Sequence, residues 1–575
     1  MKLSLWAPQA HTVEYLTEQK TLLATSDAHG MWSIDLPVGM HYQIRLDGGI
    51  KLPDPRSMCQ PEGPHGPSVV VDPSRFVFHH DRDAGDLTGR VWYELHVGTF
   101  TPEGTFTALI DKLDDLCELG IDVIELMPIA PTPGTRNWGY DGVSLFAVNP
   151  MYGTPQDLVA LVDAIHARHM AVALDVVYNH LGPDGNYLAQ FGPYFTDHHH
   201  TPWGEAVNMD APGSQHVRQY LIDNAVQWLE DYHFDALRLD AVDYLRDDSP
   251  RHILAELSDA VSEASARSGR TFTLVYESDA NDPLTLTPTS AGGRGANAQW
   301  ADDVHHALHV WLTGETNAYY QDYVDPETLE KALTEGFTRI GQISRFRGVK
   351  SGAPLPTGVS GHALMVYDEN HDQVGNRYLS DRPSEKLSPG QIALSRSLIL
   401  LSPFTPMLFM GEEWATTQRF PFFTDFGDEI GRHILAGRMN EFANWGFTSD
   451  NETMIDPQSR QAFDAAHINW NESQLPAHKR MREFVRELIA LRKSTPDVAS
   501  GDRGATTAHI DARGGWMRRG DTLVVFSRVD DDNTVSAPVE ERGVVLSWEP
   551  VRISAQTVTF SGSGIAILQS NDASL

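Results

Sequence analysis

From Met1 to about residue 85, apolar and polar positions alternate over short runs separated by turn residues. LSLWAP, HTVEYLT, MWSIDLP and HYQIRLDGG carry the two-residue period of half-buried strands. The Pro/Gly-rich segment LPDPRSMCQPEGPHGPSVVVDPSRF follows and excludes helix. Residues 1–85 are therefore expected to form a small β-sandwich whose trailing linker packs on the next domain. From VWYELHVGTF onward the pattern changes to apolar strand, turn and amphipathic helix, repeated. Strands are predicted at 91–99, 121–127, 171–178, 236–242, 271–277, 296–302, 361–369 and 405–411. FTALIDKLDDLCELG, PQDLVALVDAIHARH and SQHVRQYLIDNAVQWLEDYH supply helices between them. Eight repeats over roughly 400 residues predict an α/β fold, a (β/α)₈ TIM barrel with inserted loops, over 86–497. A doubly wound open sheet is the rival, but no Gly-rich phosphate turn follows the first strand. Segment 325–358 reads as an extra helix and loop. After the helix KRMREFVRELIALRKSTPD, strands return in GGWMRRGDTLVVFSRV, GVVLSWEP and TVTFSGSGIAILQS, giving a C-terminal β-sandwich over 498–575.

Composition narrows the partners. The chain has 575 residues, with 44 Lys and Arg against 78 Asp and Glu, a formal net charge of -34. That balance speaks against nucleic acid or an anionic membrane and is compatible with a neutral polar substrate. Two cysteines, Cys59 and Cys117, make no disulfide framework. The opening MKLSLWAPQAHTVEYL lacks a sustained apolar run, so neither signal peptide nor membrane span is expected, and a cytoplasmic location is.

Candidate chemistry gathers at the predicted strand ends, where a barrel of this kind places its active site. Strand three ends in DVVYNH, with Asp175, Asn179 and His180. Strand four carries Arg238 and Asp240, strand five ends on Glu277, and strand seven runs into DENHDQVGN with His371 and Asp372. Arg238 and Asp240 share a strand face, so the guanidinium holds the carboxylate ionised, as a nucleophile requires. Glu277 follows the apolar run FTLVY with no basic neighbour in sequence; burial is expected to raise its pKa, as a general acid requires. Two carboxylates tuned in opposite directions are the core of glycosidic bond cleavage. WGYDG offers Trp138 and Tyr140 as faces for a pyranose and Asp141 as a hydroxyl acceptor, and His180 and His371 as donors complete the set. The clusters HHHT at 198–201 and DDVHH at 302–306 raise the question of a metal, but neither has HExxH spacing and no cysteine joins them. No metal or other cofactor is expected.

DVVYNH at 175–180, LRLDAVD at 237–243, Glu277 and NHD at 370–372 stand in order on the predicted strands and together resemble the α-amylase superfamily of glycoside hydrolases. The resemblance implies that Asp240 is the nucleophile and Glu277 the acid/base. Asp372 would distort the sugar and stabilise the oxocarbenium-like state, with Arg238, His180, His371 and Tyr140 holding the −1 sugar. RNWGYDGV, GNYLAQFGPYFTDHHHTPWG, ESDANDP, AQWADDVHHALHVWLTGE, NHDQVGNR and LFMGEEWATTQRFPFFTDF are similar to a narrower group, the malto-oligosyltrehalose trehalohydrolase family. That likeness implies hydrolysis of the α-1,4 bond next to the terminal trehalose of a maltooligosyl trehalose, releasing trehalose. It also implies substrate contacts from Asp302, Asp303, His305 and His306, and from His371, Gln373 and Asn376. Three features depart from the pattern. Asp368 and Glu369 add acid beside Asp372, Val304 replaces an aromatic, and LRLDAVDY lacks the Lys-His pair of many endo-amylases. The N-terminal sandwich resembles glycan-binding modules and is equally suited to packing against the barrel. Two rivals remain: a glycogen branching enzyme, and an inactive glucan-binding protein on the same barrel, against which all three carboxylates stand.

Overall fold

A computed structural model describes residues 1–325, 327–446 and 453–570. Residues 571–575 of the expected C-terminal sandwich and Pro326 of the expected extra helix thus lie outside the described residues. The centre of the molecule is a closed barrel of eight parallel strands: β1 Trp92–Leu95, β2 Val123–Leu126, β3 Ala171–Val176, β4 Ala236–Leu239, β5 Thr273–Glu277, β6 Ala298–Trp300, β7 Leu364–Val366 and β8 Thr405–Phe409. Each strand pairs in register with its neighbours, and β8 closes on β1 through Met407 opposite Trp92. The fold is the TIM barrel expected from the repeats, flanked at both ends of the chain by β-rich regions. β7 is much shorter than 361–369, because a 3₁₀ turn occupies Gly361–Ala363 and the chain leaves the sheet after Val366. The helix expected over 214–233 runs Ser214–Val226 and then widens into a π turn, Gln227–Asp231.

Alternation along the strands explains where the chemistry lies. One side chain in two faces the barrel axis. Trp92, Val123, Ala171, Ala173, Ala236, Val275, Ala298, Trp300, Met365 and Met407 pack together in a cluster of their own. The intervening residues, such as Tyr93, Leu95, Ile124, Val172, Leu237 and Leu274, join the larger core under the helices. Alanines on β3, β4 and β6 make room for Trp92 and Trp300, so the interior is filled rather than hollow. Two residues further along, the same inward rows turn charged: Glu94 after Trp92, Glu125 after Val123, Asp175 after Ala173, Arg238 and Asp240 after Ala236, Glu277 after Val275. An apolar floor and a charged mouth are therefore properties of the two-residue period. The opposite end is sealed by the linker: Ala84 and Leu87 join the inner cluster, and Trp92 Nε1 donates to the Leu87 carbonyl at 3.1 Å.

The N-terminal region forms two antiparallel sheets, one of three strands and one of five. It packs on the barrel: Trp6 stacks on His216 at 4.6 Å and meets Tyr194 edge-on at 5.6 Å. Past the helix Pro476–Ser494, a five-stranded and a three-stranded sheet follow. The expected extra helix is Glu327–Glu335, with irregular chain after it. Among the described residues, no helix is long and apolar enough to cross a membrane.

Candidate active site

The C-terminal ends of the strands open into a cavity of about 450 Å³, within the range of small-molecule sites. Asp240, Glu277 and Asp372 all line it. At its floor Arg238, fully buried, joins three carboxylates: Nη1 to Asp175 Oδ2 at 2.6 Å and to Asp240 Oδ1 at 3.1 Å, and Nη2 to Glu277 Oε2 at 2.8 Å. The guanidinium lies 4.0 Å from the centre of the Trp300 ring. Glu277 therefore has a cationic partner after all, on the neighbouring strand, and the expectation of an unpaired acid is corrected.

The two carboxyls are still driven apart. Burial alone would raise Asp240, but Arg238, His180 and the Asn179 amide more than offset it and hold the group below its ordinary value. Asn179 Nδ2 donates to Asp240 Oδ2 at 2.8 Å. Glu277 is held well above the usual carboxylate range, first by burial and then by Asp240 and Asp372, against Arg238 and the Ala241 N–H. That N–H donates to Glu277 Oε2 at 2.7 Å. It is aimed there because Ala241 sits at φ 40, ψ 53, a left-handed conformation rare for residues with a Cβ. One ionised and one protonated carboxyl on one guanidinium can perform nucleophilic attack and proton donation together.

A second chain of contacts fixes the histidine. Glu94, buried on β1, accepts from His371 twice, from the backbone N–H at 2.9 Å and from Nδ1 at 2.5 Å. Burial opposes charging of His371, yet Glu94 and Asp372 raise its pKa above the ordinary value. The Tyr140 ring stacks on His371 at 4.8 Å, and its hydroxyl donates to Asp175 Oδ2 at 2.6 Å. Asp372 Oδ1 accepts from Asn376 Nδ2 at 2.7 Å, and Asn376 Oδ1 accepts from Arg438 at 2.9 Å.

Tyr140, Asp141, His180, His371 and Asn376 all reach the cavity wall. His180 Nε2 donates to the Tyr140 carbonyl at 2.9 Å, and Asp141 accepts from Asn137 at 2.7 Å. Trp138 also lies at the wall, but its face is covered by Phe420 in a 5.2 Å stack and its Nε1 donates to Pro421. It backs the wall instead of offering a platform. Asp302 and Gln373, both half-buried, are not among the residues lining the cavity and are joined to each other at 3.3 Å, with Tyr367 also donating to Asp302. Asp303 is buried under Asn281, Tyr323, Thr338 and Arg339, all of which donate to it. His305 donates to the Asp368 carbonyl at 2.6 Å, and His306 packs between Tyr319 and Tyr323. These three hold the helix Asp302–Thr313 in place and do not line the cavity. The acid expected from Asp368 and Glu369 beside Asp372 is absent as free charge. Both are buried, with Arg396 paired to each and Arg382 to Glu369 at 2.7 Å.

Five further residues of the site carry no role that the sequence alone assigned. Glu94 read as part of an apolar strand. Trp203, half exposed at the tip of the hairpin Phe195–Thr201 and Gly204–Val207, stacks on His180 at 4.2 Å with ring planes 2° apart. Arg438 and Phe442 reach the rim from the helix Asp428–Asn444, with the guanidinium over Phe422 at 4.5 Å and Phe442 at 5.2 Å. Glu441 joins them on the wall.

A TIM barrel with paired carboxyls of opposed pKa and a third carboxylate at its mouth is the arrangement of a glycoside hydrolase. A sequence profile for the alpha amylase catalytic domain matches residues 71–200. A malto-oligosyltrehalose trehalohydrolase of Rhizobium sp. (strain M-11) is 44% identical over 93% of this chain and 92% of its own. The one from Arthrobacter ramosus is 42% identical over 99% of both. A 1,4-alpha-glucan branching enzyme of Bacillus caldolyticus is 26% identical over 98% of this chain and 82% of its own. Among solved structures, a Salmonella typhimurium protein assigned to the alpha amylases superposes with TM-score 0.90 at 35% identity, covering 99% of this chain and 97% of that one. The chain belongs to the malto-oligosyltrehalose trehalohydrolase family.

Proposed function

We propose that this enzyme hydrolyses the α-1,4 bond next to the terminal trehalose of a maltooligosyl trehalose, with retention of configuration. The observation that carries the chemistry is Arg238 joining Asp240 and Glu277 while their pKa values diverge. Asp240 attacks the anomeric carbon as Glu277 protonates the departing trehalose oxygen. Glu277, now a carboxylate, takes a proton from water, which displaces Asp240 and frees the maltooligosaccharide as the α-anomer. Holding both carboxyls on one guanidinium suits the separation of about 5–5.5 Å that retaining enzymes use. Asp372, His371, Tyr140 and His180 position the −1 sugar. Asp141 is a further hydroxyl acceptor, and Trp203 replaces Trp138 as the exposed ring face. The substrate assignment is supported by the near-full-length likeness to enzymes named for it. We place the reaction in the cytoplasm, in keeping with two cysteines that are both free.

Incubation with maltotriosyl trehalose and, separately, with amylose tests the reading. Trehalose and maltotriose from the first, with no new branch points in the second, are the expected products. Branch points in amylose without trehalose release would favour the branching enzyme, and inertness on both the binding protein.

A further inference from the structure

The hairpin that carries Trp203 into the cavity has an unusual base. In a regular strand, consecutive side chains point to opposite faces. Here the pairing register jumps between Thr196, opposite Ala206, and His200, opposite Glu205, so residues 197–199 have no partner across the hairpin. A bulge of this kind re-aims side chains. It turns both His198 and His199 toward Asp210, just beyond the second strand, with the two rings 4.5 Å apart. His198 Nδ1 lies 3.4 Å from Asp210 Oδ1 and His199 Nε2 lies 2.8 Å from Oδ2. All three donor atoms fall within 4.8 Å of one another.

The carboxylate is well placed for a role beyond pairing. Its side chain is 6% exposed, and the Asp248 backbone N–H donates to Oδ2 at 2.8 Å. Asp248 brings a second carboxylate, Oδ2 3.7 Å from His199 Nε2, on an exposed side chain free to swing inward. Ligands at about 2.0–2.2 Å from a tetrahedral ion stand about 3.4 Å apart, so small movements of exposed groups complete the set.

We propose that His198, His199 and Asp210, with Asp248 in the fourth position, form a binding site for a divalent transition-metal cation of the zinc class. Two imidazoles with carboxylate select such an ion over calcium or magnesium, which favour all-oxygen shells. The site is separate from the catalytic cavity and its role is structural. It fastens the base of the hairpin to the loop at 245–250, and the hairpin tip carries Trp203 against His180. Binding there fixes one wall of the cavity without touching the reacting atoms.

Zn²⁺ alone, added to the metal-stripped full chain, is the probe. Competition against a chelating dye is expected to show one tight equivalent, with hydrogen exchange slowed in 195–210 and 245–250. His198→Gln is safe for folding, since that side chain is 62% exposed. It and His199→Asn should each weaken binding by about ten-fold or more and abolish the protection. His509→Gln, at an exposed histidine on the C-terminal sheet, should change neither. No tight equivalent, no slowing of exchange in the hairpin, or binding by the His198 and His199 variants as tight as the parent's would overturn the proposal. These readouts do not depend on the substrate assignment.

Discussion

Glu94 gives the sharpest test of the site's electrostatics. It contributes two acceptors, one to the His371 backbone N–H and one to Nδ1. Gln in its place keeps the shape but offers one acceptor and one donor. If its oxygen stays on the backbone N–H, its NH₂ faces Nδ1, and the imidazole must turn that nitrogen into an acceptor and stay neutral. The loss is one hydrogen bond to a charged group, about 1.5–3 kcal/mol, which corresponds to about ten- to a hundredfold in kcat/KM if His371 binds substrate as a cation. The stability effect has a definite sign. His371 has a raised folded pKa, so its contribution is complete below the unfolded value of about 6.5 and is lost as pH climbs through the folded value. Glu94→Gln should therefore cost most stability below about pH 6.5, and the deficit should narrow at higher pH. The assay is kcat/KM on maltotriosyl trehalose across pH, with urea denaturation in parallel. A variant with the parent's rate, an unshifted profile and a pH-independent stability difference would refute the reasoning.

Three other outcomes follow from the same geometry. Activity should rise as Asp240 ionises, below the ordinary aspartate pKa, and fall only as Glu277 ionises, well above the ordinary glutamate value; Glu277→Gln should flatten the alkaline limb and lose far less on a glucosyl fluoride, whose leaving group needs no proton, than on maltotriosyl trehalose. Glu125, buried on β2 with neither carboxyl oxygen partnered, has a pKa raised well above the usual range by burial, Glu94 and Asp175; the folded state then binds one more proton than the unfolded chain above about pH 4.5, so stability falls as pH rises, and Glu125→Gln should remove a slope of about 1.4 kcal/mol per pH unit seen in denaturation midpoints. Arg438→Met should lower kcat about two- to tenfold by releasing Asn376 from its hold on Asp372, with kcat recovering in part for Arg438→Lys; equal kcat in all three proteins would show that the contact has no positioning role.

How far the sequence reached depended on how local each signal was. Eight strands were legible because parallel barrel strands are buried on both faces and then end abruptly in polar residues, as in ALRLDAVD and TLVYESD. Arg238 and Asp240 needed only the two-residue period. The partner of Glu277 was hidden because Arg238 is on the adjacent strand, a relation that barrel closure creates and sequence distance conceals. Asp302 and Asp303 look alike at a helix start, yet burial under Arg339 and Tyr323 makes Asp303 a structural anchor. Likewise nothing in DENHD distinguishes acid facing substrate from acid neutralised by arginines on distant segments. The rim contributed by Trp203 and by the helix Asp428–Asn444 belongs to insertions, whose placement no strand–helix period specifies.

The central claim, a retaining cleavage next to trehalose at Asp240 and Glu277, is tested most directly by following maltotriosyl trehalose hydrolysis with proton NMR at early times. Trehalose appearing together with maltotriose whose new reducing end is first the α-anomer is the predicted result. A β-anomer formed first, or glucose and maltose released without trehalose, would contradict it.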